Sequence, residues 1–233
     1  MVPFMSCSAR LPVYMLFIGA FFAEQKALVM MSLYALGVVL SILFAWVMQH
    51  TKAFRQPKHD YVSELPPYRR PTLRNTGLHI WERIADYLQK IPAVIIWASV
   101  IIWALTYFPT GNMNDMEHSY LAMIGHWMEP LVRPLGFDWK MSVCLLTGLP
   151  AKEAIVSTMG ILYPSDAALS AFTPLTAYAF MTFVLLYFPC VATITTLRKE
   201  LGRKWAWFSL VQSMVLAWVV SFMIYQVGLL FSV

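Results

Sequence analysis

The chain is 233 residues long, with 59% hydrophobic residues, only 12% charged ones and a mean hydropathy of +0.62. A water-soluble domain carries about 25% charged residues, so that class is excluded, and 15 Phe, 11 Tyr and 9 Trp exclude disorder. What remains is a membrane protein with room for several spans; its +5 net charge sits in loops between apolar runs, where it orients the chain and offers no basic face for nucleic acid.

Leu11 to Ala23 is uncharged for 13 residues, bounded by Arg10 and Glu24. That is short of a full crossing and reads as a half-helix or as the end of a helix begun upstream. Ala27 to Gln49 has 23 residues without a charge, a transmembrane helix with Trp46 as an interfacial anchor. His50 to Lys90 holds eight Lys and Arg against four acids and reads as cytoplasmic by the positive-inside rule. Its second half places Leu73, Ile80, Trp81, Ile84, Leu88 and Ile91 at helical spacing. This is an amphipathic helix, lying on the inner membrane surface or packed on another part of the protein.

Pro92 to Phe108 is a further apolar run of 17 residues, with Pro92 suited to the first turn of a helix. Pro109 to Glu117 lacks Lys and Arg and reads as external. Ser119 to Gly136 is apolar but interrupted by Glu129, Pro130, Arg133 and Pro134, an interfacial or re-entrant piece. Met141 to Tyr163 carries Gly148-Leu149-Pro150-Ala151-Lys152-Glu153 at its centre, and Ala167 to Leu197 contains Pro189-Cys190. Arg198 to Lys204 is a short basic loop, and Trp205 to Val233 closes the chain with 29 uncharged residues. If both basic loops are inside, the piece between 109–117 and 163–174 must re-enter or cross an even number of times. If it crosses once, the second basic loop lies outside, against the charge rule. The reading is an all-α polytopic chain with broken or re-entrant helices, divided into 1–49 (membrane helices), 50–91 (basic loop with an amphipathic helix) and 92–233 (a gate-like transmembrane region).

The chemistry is expected at the interruptions. A break in a helix at membrane depth is tolerated only inside protein or beside a water-filled cavity. Transporters use such breaks to present half-helix ends to a substrate near the midplane. Gly148 and Pro150 interrupt one segment and Pro189 another; the plainer alternative is a proline kink in each. Lys152 and Glu153 sharpen the first break, because a charge at the bilayer centre costs about 2.5–3.5 kcal/mol or more. Glu153 could bind a cation or carry a proton, and Lys152 could fix a half-helix end, unless both lie at the interface. Cys190 and Cys7 are soft-ligand candidates flanked by small residues, although a lone membrane cysteine often only fills space. Cys144 reads as packing, and the three cysteines contain no Cys-x-x-Cys pair. His118, His126 and the scattered methionines do not form a ligand pattern. No zinc-protease, nucleophile-elbow or phosphate-loop motif is present, so neither enzymatic activity nor nucleotide binding by this chain is expected.

Four runs resemble the C-terminal membrane region of FeoB, the bacterial ferrous iron transporter family. They are Phe4 to Tyr14 around Cys7, Glu64 to Arg69 (ELPPYR), Gly148 to Glu153 (GLPAKE) with Val156-Ser157-Thr158, and Phe188 to Thr193 (FPCVAT). The resemblance implies a multi-pass inner-membrane protein that imports Fe(II), with a GTPase domain and two gate regions. It places Cys7 in the cysteine motif after the first gate, and Glu153 and Cys190 in the second gate, with gate cysteines lining the ion path. Because the GTPase domain and first gate are missing here, the chain resembles a fragment that begins within a transmembrane helix. Fe(II) is expected as the transported ion. Partners implied are the bilayer, the remainder of the transporter and a small FeoA-type protein, with a homo-oligomer left open. Rivals are a transporter of the same architecture for a nucleoside or Mn(II), and a non-transporting membrane scaffold.

Overall fold

A computed structural model describes residues 10–50, 72–108, 119–149, 152–163, 172–189 and 191–231. Among these residues every regular element is helical: α1 (Leu11–Phe21), α2 (Lys26–His50), α3 (Leu73–Tyr107), α4 (Tyr120–Val132), a 3-10 turn (Arg133–Leu135), α5 (Trp139–Thr147), α6 (Ala154–Leu162), α7 (Pro174–Leu186), α8 (Val191–Glu200) and α9 (Arg203–Phe231). Expected pieces Cys7, Pro150 and Cys190 lie outside the described residues.

Among the described residues two helices, α2 and α9, are long and apolar enough to cross a bilayer, and both are mostly exposed. Only Val29, Leu33 and Gly37 of α2 are buried, four residues apart on one stripe. α9 buries Ala206 and, four residues apart on one stripe, Ser213, Ala217 and Ser221. Small residues at this spacing let helix backbones approach where lipid supplies no hydrophobic force between them. The Ser221 hydroxyl donates across the seam to the Ala179 carbonyl of α7 at 3.2 Å.

That seam leads into the core. α7 is only 13 residues, yet ten of them are buried. A helix apolar all round belongs inside protein, and α7 is enclosed by α9, α1 and α2. Phe180 packs on Phe17 of α1 and on Phe137, with ring centroids 5.2 and 5.5 Å apart. Its start is set by Pro174 in the first turn and by Thr173, whose Oγ1 accepts the Thr176 N–H at 3.2 Å.

One expectation is corrected. The interfacial helix ending at Ile91 and the span opening at Pro92 are a single helix, α3, which runs through Pro92 for 35 residues. At 1.5 Å per residue it is about 52 Å long. Proline inside a helix removes one backbone hydrogen bond and crowds the carbonyl four residues earlier. Apolar helices nevertheless accommodate it by local adjustment, so Pro92 does not mark a boundary.

Residues 119–149 and 152–163 form short helices and turns. Ser119 caps α4 by accepting the Ala122 N–H at 3.2 Å. The reversal into α5 uses Gly136 at φ 77, a left-handed conformation that glycine adopts without strain. α9 props this turn from behind: Trp218 Nε1 donates to the Leu131 carbonyl at 2.9 Å and Gln226 Nε2 to the Pro134 carbonyl at 3.3 Å.

Candidate functional site

The first interruption is a reversal. α5 and α6 have nine residues each, or about 14 Å, too short for either to cross a 30 Å hydrocarbon core. The Thr158 hydroxyl donates to Thr147 Oγ1 at 2.9 Å. Eleven residues along a continuous helix would separate the two by about 16 Å, so the chain doubles back and α5–α6 is a helical hairpin. The end of α5 closes on itself: Gly148 N–H reaches the Cys144 carbonyl at 3.0 Å, Leu149 N–H the Leu146 carbonyl at 3.2 Å, and Thr147 Oγ1 donates to the Cys144 carbonyl at 3.0 Å.

The second interruption ends α7. The Tyr187 N–H makes the last helical bond, to Phe183 at 2.8 Å, and Tyr187 itself is extended (φ −67, ψ 177). The chain then passes through buried Pro189 to α8. Pro189 lacks an N–H and disfavours helix in the residue before it, which accounts for the stop and leaves the last carbonyls of α7 in need of donors.

The two interruptions meet. Lys152, only 5% exposed, donates from Nζ to the Val184 carbonyl at 3.3 Å and lies over the Tyr187 ring at 4.8 Å from its centroid. A cation at a helix C-terminus meets the negative end of the peptide dipoles, and an aromatic face adds attraction of the same sign. Gly148 is required by the same closeness, since a Cβ there would stand 2.5 Å from both Tyr187 Oη and Ile155 Cγ1. Arg10, at the start of α1, is buried as well, at 3% exposed. The Tyr187 hydroxyl is buried and finds no hydrogen-bond partner among the described residues.

Of the expected site residues, the structure therefore brings together Gly148 and Lys152 from one break with the α7 end that precedes Pro189. Glu153, beside Lys152, precedes the first turn of α6 and is exposed. Cys144 is fully buried. His126 stacks on Trp139 at 4.6 Å and reaches Glu129 through Nδ1 at 3.3 Å, an exposed contact away from the breaks. Among the described residues no three His, Cys, Asp or Glu side chains cluster as a metal site would. Sequence reasoning missed Tyr187, the Val184 carbonyl, Arg10 and the Thr147–Thr158 pair. Tyr187 stands two residues before Pro189 and Arg10 three after Cys7, so proximity to the interruptions was the available signal.

Comparison with known proteins adds two family models. Residues 88–204 match Gate, described as nucleoside recognition, and residues 30–83 match the ferrous iron transport protein B C terminus. The chain is 44% identical over 238 residues to a Staphylococcus aureus protein named Fe(2+) transporter FeoB, covering 98% of this chain and 36% of that protein. It is 40% identical over 286 residues to a Porphyromonas gingivalis protein named as a fusion of Fe(2+) transport protein A and Fe(2+) transporter FeoB, covering 98% and 34%. A Methanocaldococcus jannaschii Fe(2+) transporter FeoB is 38% identical over 241 residues, with 97% and 36% covered. The chain thus spans about a third of the length of the curated relatives it matches. No solved structure matches it.

Proposed function

From the premise that this chain belongs to the FeoB family and corresponds to its C-terminal Gate-bearing part, we propose that it forms the second gate of a ferrous iron importer in a bacterial cytoplasmic membrane. The observation that carries the reading is the meeting of two helix interruptions across the Lys152–Val184 contact. Interrupted helices are the means by which transporters offer backbone ends to an ion in a bilayer. Residues 1–49 and 50–91 would then carry the preceding helices and the cytoplasmic basic loop, and 92–233 the gate.

In this reading Fe(II) exchanges part of its water shell for Glu153, Cys190 and, from the motif before α1, Cys7. Carboxylate and thiolate suit a borderline divalent metal, and passage requires binding weak enough for release. Exposed Glu153 beside the hairpin tip supports a role at the mouth of the path. The GTPase lies in another part of the transporter and the chemistry of this chain is transport. The relative in which FeoA is fused to FeoB supports a small FeoA-type partner.

The test is Fe(II) uptake by the complete transporter carrying Glu153→Ala or Cys190→Ala. Each variant is expected to lower uptake at least about tenfold at unchanged protein level, the loss of one good metal ligand. Wild-type uptake in both would defeat the site. The description of the Gate model as nucleoside recognition favours a second reading, a nucleoside as cargo. Excess unlabelled nucleoside should leave iron uptake unaltered if Fe(II) is the cargo and suppress it if the site takes nucleosides; excess Mn(II) ranks the metals.

A further inference from the structure

A path for a divalent cation should not hold a buried ammonium, yet Lys152 is buried where the two interruptions touch. The surroundings of the Lys152 Nζ resemble those a cation would seek: the carbonyl end of α7 at 3.3 Å and an aromatic face at 4.8 Å. We propose that Lys152 is a tethered cation that latches the α5–α6 hairpin to the end of α7, and that the path opens when the ammonium leaves the Val184 carbonyl. This rests on the transport reading only for what displaces the latch; the latch itself is a property of the fold.

Three observations converge on it. The backbone of Lys152 is held at the start of α6, where the Ile155 N–H bonds the Lys152 carbonyl at 3.2 Å, so the ammonium reaches α7 from a fixed base. Gly148 admits Tyr187 against the tip, and a Cβ there would occupy the space of the Tyr187 hydroxyl and Ile155. The contact also spans 32 residues of chain, joining two elements that end at interruptions, so its release frees both ends at once. A positive charge in this position repels an approaching cation until it moves. When it moves, it vacates the backbone oxygen and ring face that it occupied.

Hydrogen exchange of the full chain in nanodiscs, resolved by peptide, reads the latch without reference to transport. In Lys152→Met, which keeps the stem and removes the charge, exchange at 148–156 and at 184–189 should accelerate together by about 10- to 100-fold, the opening expected from losing one charged hydrogen bond. Peptides in the middle of α9 should not change, and Lys152→Arg should restore most of the protection. Tyr187→Leu tests the same contact from its other side, with a smaller acceleration at 148–156, and serves if Lys152→Met does not fold. Unchanged exchange at both breaks in Lys152→Met, or acceleration at only one, overturns the latch. Should Lys152→Met not fold, unchanged exchange at 148–156 in Tyr187→Leu overturns it. Adding Mn(II) as a stable divalent probe separates the two claims. Acceleration at both breaks in the wild type and none further in Lys152→Met supports displacement by the cargo. No effect of Mn(II) with an intact Lys152→Met phenotype keeps the latch and removes the metal as its trigger.

Discussion

α2 and α7 are both strongly apolar, and their fates are opposite. α2 runs 25 residues and buries three of them, whereas α7 runs 13 and buries ten. Apolarity therefore does not tell a lipid-facing helix from a protein-facing one; length does. A 25-residue helix spans about 37 Å and can cross the bilayer unaided, while 13 residues reach about 20 Å. A helix end enclosed by protein needs donors from that protein, and here Lys152 supplies one to the end of α7.

The comparison is broken most sharply by truncating one large side chain in each helix. Phe180→Ala in α7, which removes the contacts to Phe17 and Phe137, should cost about 3–5 kcal/mol. Ile42→Ala on the exposed side of α2, where Ile42 is 61% exposed, should fall within about 0.5 kcal/mol. Thermal unfolding in detergent measures both, and equal losses would mean that α7 is not the core. A smaller contrast lies within the hairpin. Gly148→Ala must push Tyr187 or Ile155 aside and should cost about 1–3 kcal/mol, whereas Gly160→Ala meets nothing within 4 Å and should stabilise α6 by up to about 1 kcal/mol. A milder loss within the hairpin than that of Gly148→Ala is that of Thr158→Val, which removes the bond to Thr147 at 2.9 Å. A loss of about 0.5–1.5 kcal/mol is expected, with the change in hydrogen exchange confined to α5 and α6.

Much of this was legible in the chain. Uncharged runs of 23 and 29 residues marked α2 and α9, because charge is what hydrocarbon excludes. Gly148 and Pro189 marked the interruptions, because each has a backbone property that ends helices. Pro92 misled for the same reason: it too reads as a boundary, and only the structure around it reveals that α3 continues. The partner of Lys152 was not legible at all. It is a backbone oxygen 32 residues away, and a carbonyl has no letter in a sequence. The doubling back of the chain at the first break was equally hidden, since a hairpin and a single interrupted helix have the same hydropathy; the Thr147–Thr158 bond shows the hairpin.

The Tyr187 hydroxyl, buried and lacking a hydrogen-bond partner among the described residues, has a consequence for wetting. A phenol enclosed in this way gains more from one water molecule than an already bonded group does. Hydration of the seam between hairpin and half-helix is therefore expected to nucleate at this oxygen. An aqueous thread through the fold would grow outward from Tyr187, and the dry state would persist only as long as side-chain packing denies that first molecule room.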